Sequence, residues 1–333
     1  MPDDPLPDDV ALLDELTALH RNFRAEVGRV IVGQEVAIDL LLTAVLAGGH
    51  CLFVGVPGLA KTLLVRTAAQ ALGLGSGRVQ FTPDLMPADI LGTEVLEEDR
   101  ATGRRSMRFL PGPIFTNLLL ADEINRTPPR TQAALLEAMQ EQAVSVAGAT
   151  RPLSPPFVVL ATQNPIEQEG TYPLPEAQLD RFMFSVAMDY PSEDDELAIV
   201  QRTTREELPS VRPVIDLSAL LALRALVRRV PTGDSVARYA VRLARATRPG
   251  PGACEAARRH VHWGAGPRAS QTLALAARVQ AAFQGHETPS VADVRALAPA
   301  VLSHRLVLNF EAEASGIDTR GVVAEVLREV PAP

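Results

Sequence analysis

A short loop of small residues that ends in lysine and threonine has the composition of a phosphate-binding loop. The loop reads GVPGLAKT, from Gly55 to Thr62, and it follows the apolar run Cys51 to Val54 and precedes residues with helical spacing. This strand-to-helix context is the one that such loops require. Glycines let several backbone N–H groups face phosphate oxygens, and the helix start adds favourable partial charge. The residues predicted to bind nucleotide here are Gly55, Val56, Pro57, Gly58, Leu59, Ala60, Lys61, Thr62 and Leu63.

Three positions of the loop decide how well it fits that chemistry. Lys61 would contact the β- and γ-phosphates, and the Thr62 hydroxyl would bind Mg²⁺. Lys61 is the only lysine among 32 lysine and arginine residues, which indicates that a compact ammonium is required where arginine would not serve. Ala60 stands where the strict pattern has glycine. Its backbone N–H still donates, and we expect a residue entering the helix there to need no positive φ.

Two adjacent carboxylates follow another apolar run, in the segment LLLADEINR from Leu118 to Arg126. Asp122 suits a Mg²⁺ site, with direct or water-mediated binding. Glu123 is placed to polarise an attacking water as general base. An acidic strand end by itself is more often a solvated surface feature. Together with the phosphate loop, however, the pair predicts binding and hydrolysis of ATP with Mg²⁺.

Short apolar runs separated by helical stretches predict the elements that must position these residues. Alternation of strands and helices indicates βαβ units, and therefore an α/β fold whose parallel sheet is covered by helices on both faces. Two helices precede the first strand, at Ala11 to Val30 and Gln34 to Leu46. The predicted strands are Cys51 to Val54, Val79 to Phe81, Leu118 to Ala121, Phe157 to Thr162 and Phe182 to Val186.

After Tyr190-Pro191 the spacing becomes helical, which predicts a smaller all-α domain. We place the domains at residues 1–189 and 190–333. The stretch Arg248 to Cys254 and the segment up to Pro267 are predicted as connecting loops. The predicted helices are Glu193 to Arg205, Leu217 to Arg229, Asp234 to Thr247, Arg268 to Gln284, Ser290 to Val307 and Thr319 to Glu329.

Charge, cysteine content and hydrophobic runs indicate which partners and which cellular setting to expect. A net charge of -8 argues mildly against nucleic acid as an obligatory partner. Cys51 and Cys254 lie far apart, outside disulfide-framework or zinc spacing, and a cytoplasmic setting is expected. The uncharged run Leu40 to Ala60 is long enough to span a membrane, but its glycines and proline favour a helix end, a strand and a loop. Met1 to Val10 is expected to be a loose tail.

The ordered motifs resemble those of the AAA+ ATPases, and specifically of the MoxR group. The similarity extends along nearly the whole chain. It includes IVGQ at Ile31 to Gln34, the phosphate loop, LLLADEINRTPPRTQAALLEAMQE, ATQNP, TYPLPEAQLDRF and GAGPRAS. The resemblance implies a P-loop core followed by a helical lid. It also implies that alanine at position 60 is usual for the group.

The resemblance implies roles for further residues. Asn164 matches sensor 1, which helps to orient the attacking water. Arg181 matches the arginine finger, which in such rings reaches the nucleotide of the adjacent subunit. Arg268 matches sensor 2, through which the lid responds to the γ-phosphate. Val32, Gly33 and Gln34 lie where the family holds the adenine, whereas no role is assigned to Arg126 or Arg130.

The same resemblance implies a chaperone-like motor that assembles into a ring, expected to be a hexamer. It would remodel or mature a protein client, or insert a cofactor or metal into it. A separate von Willebrand factor A domain protein would act as adaptor. Two segments are expected to face the partner: an insertion at Asp84 to Leu110 and a hairpin at Ala143 to Leu153.

Two other functions stay open. Minichromosome maintenance helicases share the insertion and the hairpin, and Arg104, Arg105 and Arg108 would give the insertion a basic tip able to contact DNA. The net charge and the absence of an aromatic-basic cluster argue against this reading. A scaffold that binds nucleotide without hydrolysing it is disfavoured because Glu123, Asn164 and Arg181 are all present.

Overall fold

The structure, a computed structural model, describes residues 7–98, 105–165, 170–204 and 209–332. The first part of the chain alternates strands with helices. In order, its elements are α1 (Pro7–Val27), α2 (Glu35–Ala47), β1 (Cys51–Val54), α3 (Lys61–Ala71), β2 (Ser76–Gln80), α4 (Pro87–Leu91), β3 (Gly92–Glu98), β4 (Arg105–Pro111), β5 (Leu118–Asp122), α5 (Pro129–Glu141), β6 (Ala143–Val146), β7 (Ala149–Pro152), β8 (Val158–Gln163), α6 (Glu176–Leu179) and β9 (Phe184–Ala187).

The second part is helical apart from two short strands. Its elements are α7 (Glu193–Thr203), α8 (Leu217–Arg229), α9 (Asp234–Ala246), α10 (Glu255–His260), β10 (Val261–Trp263), α11 (Pro267–Phe283), α12 (Val291–Leu302), β11 (Val307–Leu308), α13 (Phe310–Ala314) and α14 (Thr319–Glu329). Single turns of 3₁₀-helix follow β5 and α12, at Ile124–Arg126 and Ser303–Arg305.

Five parallel strands form the central sheet, in the order β2-β5-β8-β1-β9. Alternate residues of each strand pack on opposite faces, since side chains of a strand alternate in direction. On β5, Leu118 and Leu120 join the apolar cluster that includes helices α1 to α3. Leu119 and Ala121 join a second cluster, with α5. Both faces are therefore covered by helices, and the predicted α/β fold is confirmed.

The parallel arrangement brings the functional segments together at one edge of the sheet. β1, β5 and β8 are adjacent, and their carboxyl ends lead into the phosphate loop, the Asp122-Glu123 pair and Asn164 respectively. Ligands of open α/β sheets bind at the carboxyl ends of the strands. The fold therefore positions residues that are distant in sequence around one site.

Two antiparallel hairpins project from this core. β3 pairs with β4 from Gly92↔Pro111 to Glu98↔Arg105, and β6 pairs with β7, which confirms the hairpin predicted at residues 143–153. Arg151 of β7 joins the two hairpins. Its guanidinium lies 3.3 Å from a carboxylate oxygen of Glu94 and 4.0 Å from the ring centre of Phe109. Of the three predicted tip arginines, Arg104 lies outside the described residues.

The helical part contains several elements that were not predicted. Residues predicted as loop before Pro267 contain α10 and β10, and β10 pairs with β11 as a two-stranded ribbon. The helix predicted to run to Val307 ends at Leu302. These strands have only three and two residues, too few for a two-residue repeat to be recognised. Their pairing, Val261 with Leu308, is also non-local.

The N-terminal helix is longer than predicted. α1 begins at Pro7, so the expectation of a loose tail up to Val10 is wrong over its last residues. A carboxylate oxygen of Asp9 accepts a 2.6 Å hydrogen bond from Arg229 of α8, and the Thr17 hydroxyl donates to the Ala282 carbonyl of α11 at 2.7 Å. No helix in the described ranges is long and apolar enough to cross a membrane.

Candidate nucleotide site

The phosphate loop connects β1 to α3, and its first glycine is enclosed by backbone. Gly55 lies beside the chain at Met188: a Cβ added to Gly55 would come 2.6 Å from the Met188 carbonyl oxygen. Gly58 has φ +88 with nothing within 4 Å of an added Cβ, so its requirement for glycine is conformational. The two glycines are therefore required for different reasons: Gly55 allows the close approach of the backbone at Met188, and Gly58 adopts a left-handed backbone conformation.

Ala60 has a left-handed backbone, with φ 55 and ψ 23 at the N-cap of α3. The expectation that this position needs no positive φ is wrong. Alanine pays a steric cost in this region, because its Cβ approaches the following carbonyl oxygen. Strain of this kind is concentrated at functional sites, where the surrounding structure enforces it.

Lys61 is the first residue of α3, and its ammonium donates a hydrogen bond to the Gly55 carbonyl within the loop. Burial lowers the pKa of Lys61, while the charges of Asp122 and Glu123 oppose that shift. The ammonium is thus partly desolvated and faces two carboxylates. Electrostatic attraction to a phosphate is stronger in such a setting than in bulk water.

Asp122 and Glu123 are held by one hydroxyl on the neighbouring strand. Thr162 of β8 is 1% exposed. Its hydroxyl donates to Asp122 Oδ1 at 2.6 Å and accepts from the Glu123 backbone N–H at 2.8 Å. Glu123 has φ 57 at the end of β5, a left-handed conformation that is uncommon for a residue with a side chain. Thr162 therefore fixes both the carboxylate and the strained turn beside it.

The edge strand β2 supplies two further contacts that the sequence analysis did not identify. Gln80 Nε2 donates to Glu123 Oε2 at 2.8 Å, and Arg126 donates to the same oxygen at 3.1 Å. Arg78 pairs with Asp122 Oδ2 at 2.8 Å. Arg126 is a local neighbour of Glu123, three residues away in the turn after β5. Gln80 and Arg78 reach the site only through the register of β2 against β5, with Gln80 opposite Asp122, and no local pattern in the sequence reveals that register.

These groups surround a cleft of about 400 Å³, called the nucleotide cleft below. Asn164, which is 5% exposed, lies in its wall. Gly55 and Val56 form the entry to the loop just beside it. The residues that line the cleft are Pro57, Gly58, Leu59, Ala60, Lys61, Thr62, Leu63, Asp122, Glu123, Thr162 and Asn164.

The predicted adenine segment lies near the loop but outside that lining. Gln34 donates from its side-chain amide to the Asp189 carbonyl at 3.1 Å, and Asp189 follows Met188, which contacts Gly55. A Cβ added to Gly33, where φ is +66, would come 3.2 Å from a carboxylate oxygen of Asp195. Val32 and Gly33 are thus half-buried beside the start of α7, and their contact with adenine stays a prediction.

Arg181 and Arg268 lie together, away from the nucleotide cleft. They line a second space of about 400 Å³, called the arginine cavity below. Arg268 Nη1 also bonds Asp180 Oδ2 at 3.0 Å. The lining of the arginine cavity is Gly48, Gly49, His50, Met139, Gln140, Glu141, Arg181, Met183, Arg268, Thr272 and Arg305.

His50 is a buried neutral group in the wall of the arginine cavity. Burial lowers the pKa of His50 to about 4, with a smaller contribution from the charge of Arg224, whereas the hydrogen bond with Met139 raises it. Its Nδ1 accepts from the Val159 N–H at 2.9 Å, and its Nε2 lies 3.3 Å from the Met139 carbonyl. The ring therefore carries its proton on Nε2 and joins β8 to α5.

The donor set of the nucleotide cleft fits Mg²⁺. Thr62 and Asp122 present a hydroxyl and a carboxylate to the same space, and Mg²⁺ prefers oxygen ligands that leave room for several waters and phosphate oxygens. Asp122 keeps lone pairs beyond those bound to Thr162 and Arg78. The described part of the chain contains no group of three or more His, Cys, Asp or Glu residues that could hold a metal ion.

Comparison with known proteins agrees with this arrangement. The family model for the ATPase family associated with various cellular activities (AAA) matches residues 50–184, and the model for the AAA lid domain matches residues 255–326. Chaperone MoxR1 of Mycobacterium tuberculosis is 43% identical over 309 residues, which covers 92% of this chain and 81% of that protein. This chain belongs to the MoxR group of the AAA+ ATPases. Its family implies nucleotide binding and ATP hydrolysis.

Two further relatives extend the similarity along the whole chain. YeaC of Bacillus subtilis, an uncharacterized protein, is 41% identical over 308 residues, or 92% of each chain. A crystal structure from Cytophaga hutchinsonii, described as a candidate ATPase, superposes with a TM-score of 0.88 at 39% identity and covers 97% of each chain. The MoxR-group core and its lid are therefore both present.

Proposed function

We propose that this chain is an ATP-driven ring motor in which Arg181 and Arg268 of one copy complete the nucleotide cleft of the next. One observation carries the proposal. The described residues that line the nucleotide cleft include one lysine, two carboxylates and no arginine. Arg181 and Arg268 line a different cavity. Arg78 and Arg126 pair with the two carboxylates of the cleft, so an arginine supplied from an adjacent subunit would add positive charge for the phosphoryl-transfer transition state.

Within one copy, the cleft residues divide the chemistry among them. Lys61 would bind the β- and γ-phosphates as a point charge. Thr62 and Asp122 would hold Mg²⁺, which neutralises phosphate charge when bound. Glu123 would accept a proton from the attacking water, and Gln80, Arg126 and the Thr162–backbone bond fix its orientation. Asn164 would orient the same water from the end of β8.

We infer that the motor acts on protein clients in the cytoplasm, as a hexamer. A relative named Chaperone MoxR1 supports a chaperone-like role. The hairpin β3–β4 adds a physical argument: Leu96 and Met107 pair directly across it and are 61% and 60% exposed. Exposed apolar side chains of this kind suit contact with a polypeptide. The proposal includes remodelling or maturation of the client and insertion of a metal or cofactor into it. It also includes a separate von Willebrand factor A domain protein as adaptor.

The DNA-motor alternative receives less support from the hairpin. Arg105 pairs with Glu98 at 2.9 Å, and Arg108 pairs with Glu97 at 3.2 Å. The two arginines are thus balanced by carboxylates on the opposite strand. A phosphate-binding surface needs a net positive potential, which these two pairs do not provide.

The first experiment measures steady-state ATP hydrolysis against protein concentration, for wild type and Arg181→Ala, with and without single-stranded and duplex DNA. We expect a specific activity that rises with concentration and falls by ~10³-fold or more in Arg181→Ala, the typical contribution of an arginine finger. Wild-type activity that is independent of concentration would contradict subunit sharing. Strong stimulation by DNA would favour the nucleic-acid motor instead.

A further inference from the structure

We propose that Arg305 of the lid is the positioning residue of Arg181, and that it couples the lid to hydrolysis in the adjacent subunit. The proposal rests on the trans role proposed for Arg181. It concerns the segment Asp180 to Met183, called the finger segment below, which connects α6 to β9. Arg305 is in the residues matched by the AAA lid domain model, whereas the finger segment is in the core.

Arg305 forms hydrogen bonds with the finger segment on both sides of Arg181. Its side chain is 1% exposed, and Nε donates to Asp180 Oδ1 at 2.8 Å. Nη2 donates to the Phe182 carbonyl at 2.8 Å and to the Asp180 carbonyl at 3.3 Å. Nη1 donates to the Met183 carbonyl at 3.3 Å. One planar guanidinium thereby fixes the backbone before and after Arg181.

The fourth carbonyl bound by Arg305 belongs to the lid itself. Nη1 also donates to the carbonyl of Val301 in α12, so the guanidinium ties the end of that helix to the finger segment. Burial lowers the pKa of Arg305, and the bond to Asp180 opposes the shift. Because its donors are directed at several fixed acceptors, arginine suits this position better than lysine.

Two other lid residues reach the same segment, which strengthens the mechanical connection. Arg268 bonds the Asp180 carboxylate at 3.0 Å, and His304 Nε2 lies 3.1 Å from the Phe182 carbonyl. The lid and the finger segment must therefore move together. A displacement of about 1 Å at a catalytic group can lower the rate ~10²-fold. Small movements of the lid would therefore raise or lower the rate of ATP hydrolysis in the adjacent subunit.

The first test compares Arg305→Gln and Arg305→Lys with wild type and Arg181→Ala. We expect both Arg305 variants to lower kcat by at least ~10-fold while the KM for ATP stays within about twofold, because their own nucleotide cleft is intact. The lysine variant keeps one bond to Asp180 but not the set of carbonyl contacts. Unchanged kcat in both variants would overturn the proposal.

Mixed rings separate a misplaced finger from a damaged fold. An Arg305→Gln subunit should retain a working nucleotide cleft but misplace its Arg181. A Glu123→Gln subunit should have an inactive cleft but a correctly placed Arg181. An equal mixture of the two should therefore be more active than either variant alone, by about two- to threefold if Arg305→Gln keeps a tenth of the wild-type kcat and by more if it keeps less, because the transition-state charge is supplied between subunits. The reference mixture is Arg181→Ala with Glu123→Gln.

The two mixtures distinguish the possible failures. If the reference mixture gains no activity, the trans role of Arg181 itself is wrong. If it gains activity and the Arg305→Gln mixture does not, Arg305 does not act through the finger. Arg295→Gln serves as matched control: Arg295 of α12 bonds the Leu327 carbonyl within the lid at 2.9 Å. Its kcat should stay within about twofold of wild type.

Discussion

The nucleotide cleft and the arginine cavity each enclose about 400 Å³, yet their chemistry is opposite. The cleft combines Lys61 with Asp122 and Glu123, and its lining comes from the ends of sheet strands, the phosphate loop and the start of α3. The cavity holds Arg181, Arg268 and Arg305 and is lined by both the core and the lid. In the proposed function, the first region would bind and position ATP, and the second would supply positive charge for hydrolysis.

If the proposed function is correct, one copy of the chain holds the two halves of a catalytic site on different surfaces. The cleft residues are fixed by strand register and by Thr162, independently of the lid. The arginines, in contrast, are held by bonds that cross from the lid to the finger segment. Variants in the first region should therefore alter binding and chemistry in the same subunit, and variants in the second should alter its neighbour.

The largest effect is expected from Lys61→Ala. Loss of two charge-assisted bonds to the β- and γ-phosphates should cost about 3–6 kcal/mol of ATP binding, at about 1.5–3 kcal/mol each. Titration of a fluorescent ATP analogue measures this loss. Lys61→Arg is the matched control, and it should recover only part of the affinity because its charge is spread over a planar group. Undiminished affinity in Lys61→Ala would remove the loop from phosphate binding.

Glu123→Gln should separate binding from chemistry within the cleft. Removal of a general base typically lowers the rate by ~10²–10⁴-fold, whereas the amide keeps the shape of the side chain. We expect bound ATP to persist, as measured by rapid filtration of radiolabelled nucleotide. Glu141→Gln, a change at an exposed residue of the arginine cavity, is the control and should hydrolyse ATP normally.

A pH-dependent loss of stability is expected from the arginine cavity. The pKa of His50 is about 4 in the fold and 6.5 in the unfolded chain, so the unfolded state binds more protons between these values. Stability is therefore fully present above about pH 6.5 and falls as the pH drops toward 4, by about 3 kcal/mol in total. The pKa of buried His304 is lowered too, so part of the slope does not depend on His50.

His50→Gln tests this linkage by urea unfolding at pH 7 and pH 4.5. The difference in unfolding free energy between the two pH values should shrink by about 2–3 kcal/mol in the variant, because glutamine does not titrate. His286→Gln, at an exposed position, should leave the difference unchanged. An unaltered slope in His50→Gln would show that His50 is not the titrating group.

The smallest effect is expected at Ala60. Ala60→Gly removes a steric cost of about 1–2 kcal/mol at φ 55, but glycine also gains about 0.4–1 kcal/mol of unfolded-state entropy. Thermal unfolding should therefore show a net stabilisation between zero and about 1.6 kcal/mol. Ala324→Gly, at an exposed helical position in α14, should instead destabilise by about 1 kcal/mol.

The strand ends that form the nucleotide cleft could be predicted because each has a recognisable pattern in the local sequence. Buried parallel strands read as continuous apolar runs, and the residues that follow them, at Gly55, Asp122 and Asn164, have the composition of a phosphate loop, a carboxylate pair and a polar strand end. Predicted strand bounds nonetheless differ from the observed ones: the run predicted at Val79 to Phe81 overlaps only the end of β2, Ser76–Gln80. Periodicity locates an element better than it locates its ends.

Contacts that depend on pairing between distant segments could not be predicted. The roles of Gln80 and Thr162 follow from the order β2-β5-β8, and the bonds of Arg305 to the finger segment follow from the packing of the lid. Each residue is unremarkable in its local sequence. The left-handed backbone at Ala60 was missed for another reason, since alanine rarely adopts it and local propensity argues against it.

The single lysine of this chain determines where reagents that modify lysine side chains can react. Within these 333 residues, Lys61 carries the only side-chain amine, and burial lowers its pKa, so more of it is in the reactive neutral form than for an ordinary lysine. Any enzyme or metabolite that acetylates lysine side chains therefore has one target here, and modification there would remove the charge proposed to bind the phosphates of ATP. Acylation of this chain would act as a switch on nucleotide binding, and bound ATP would protect against it.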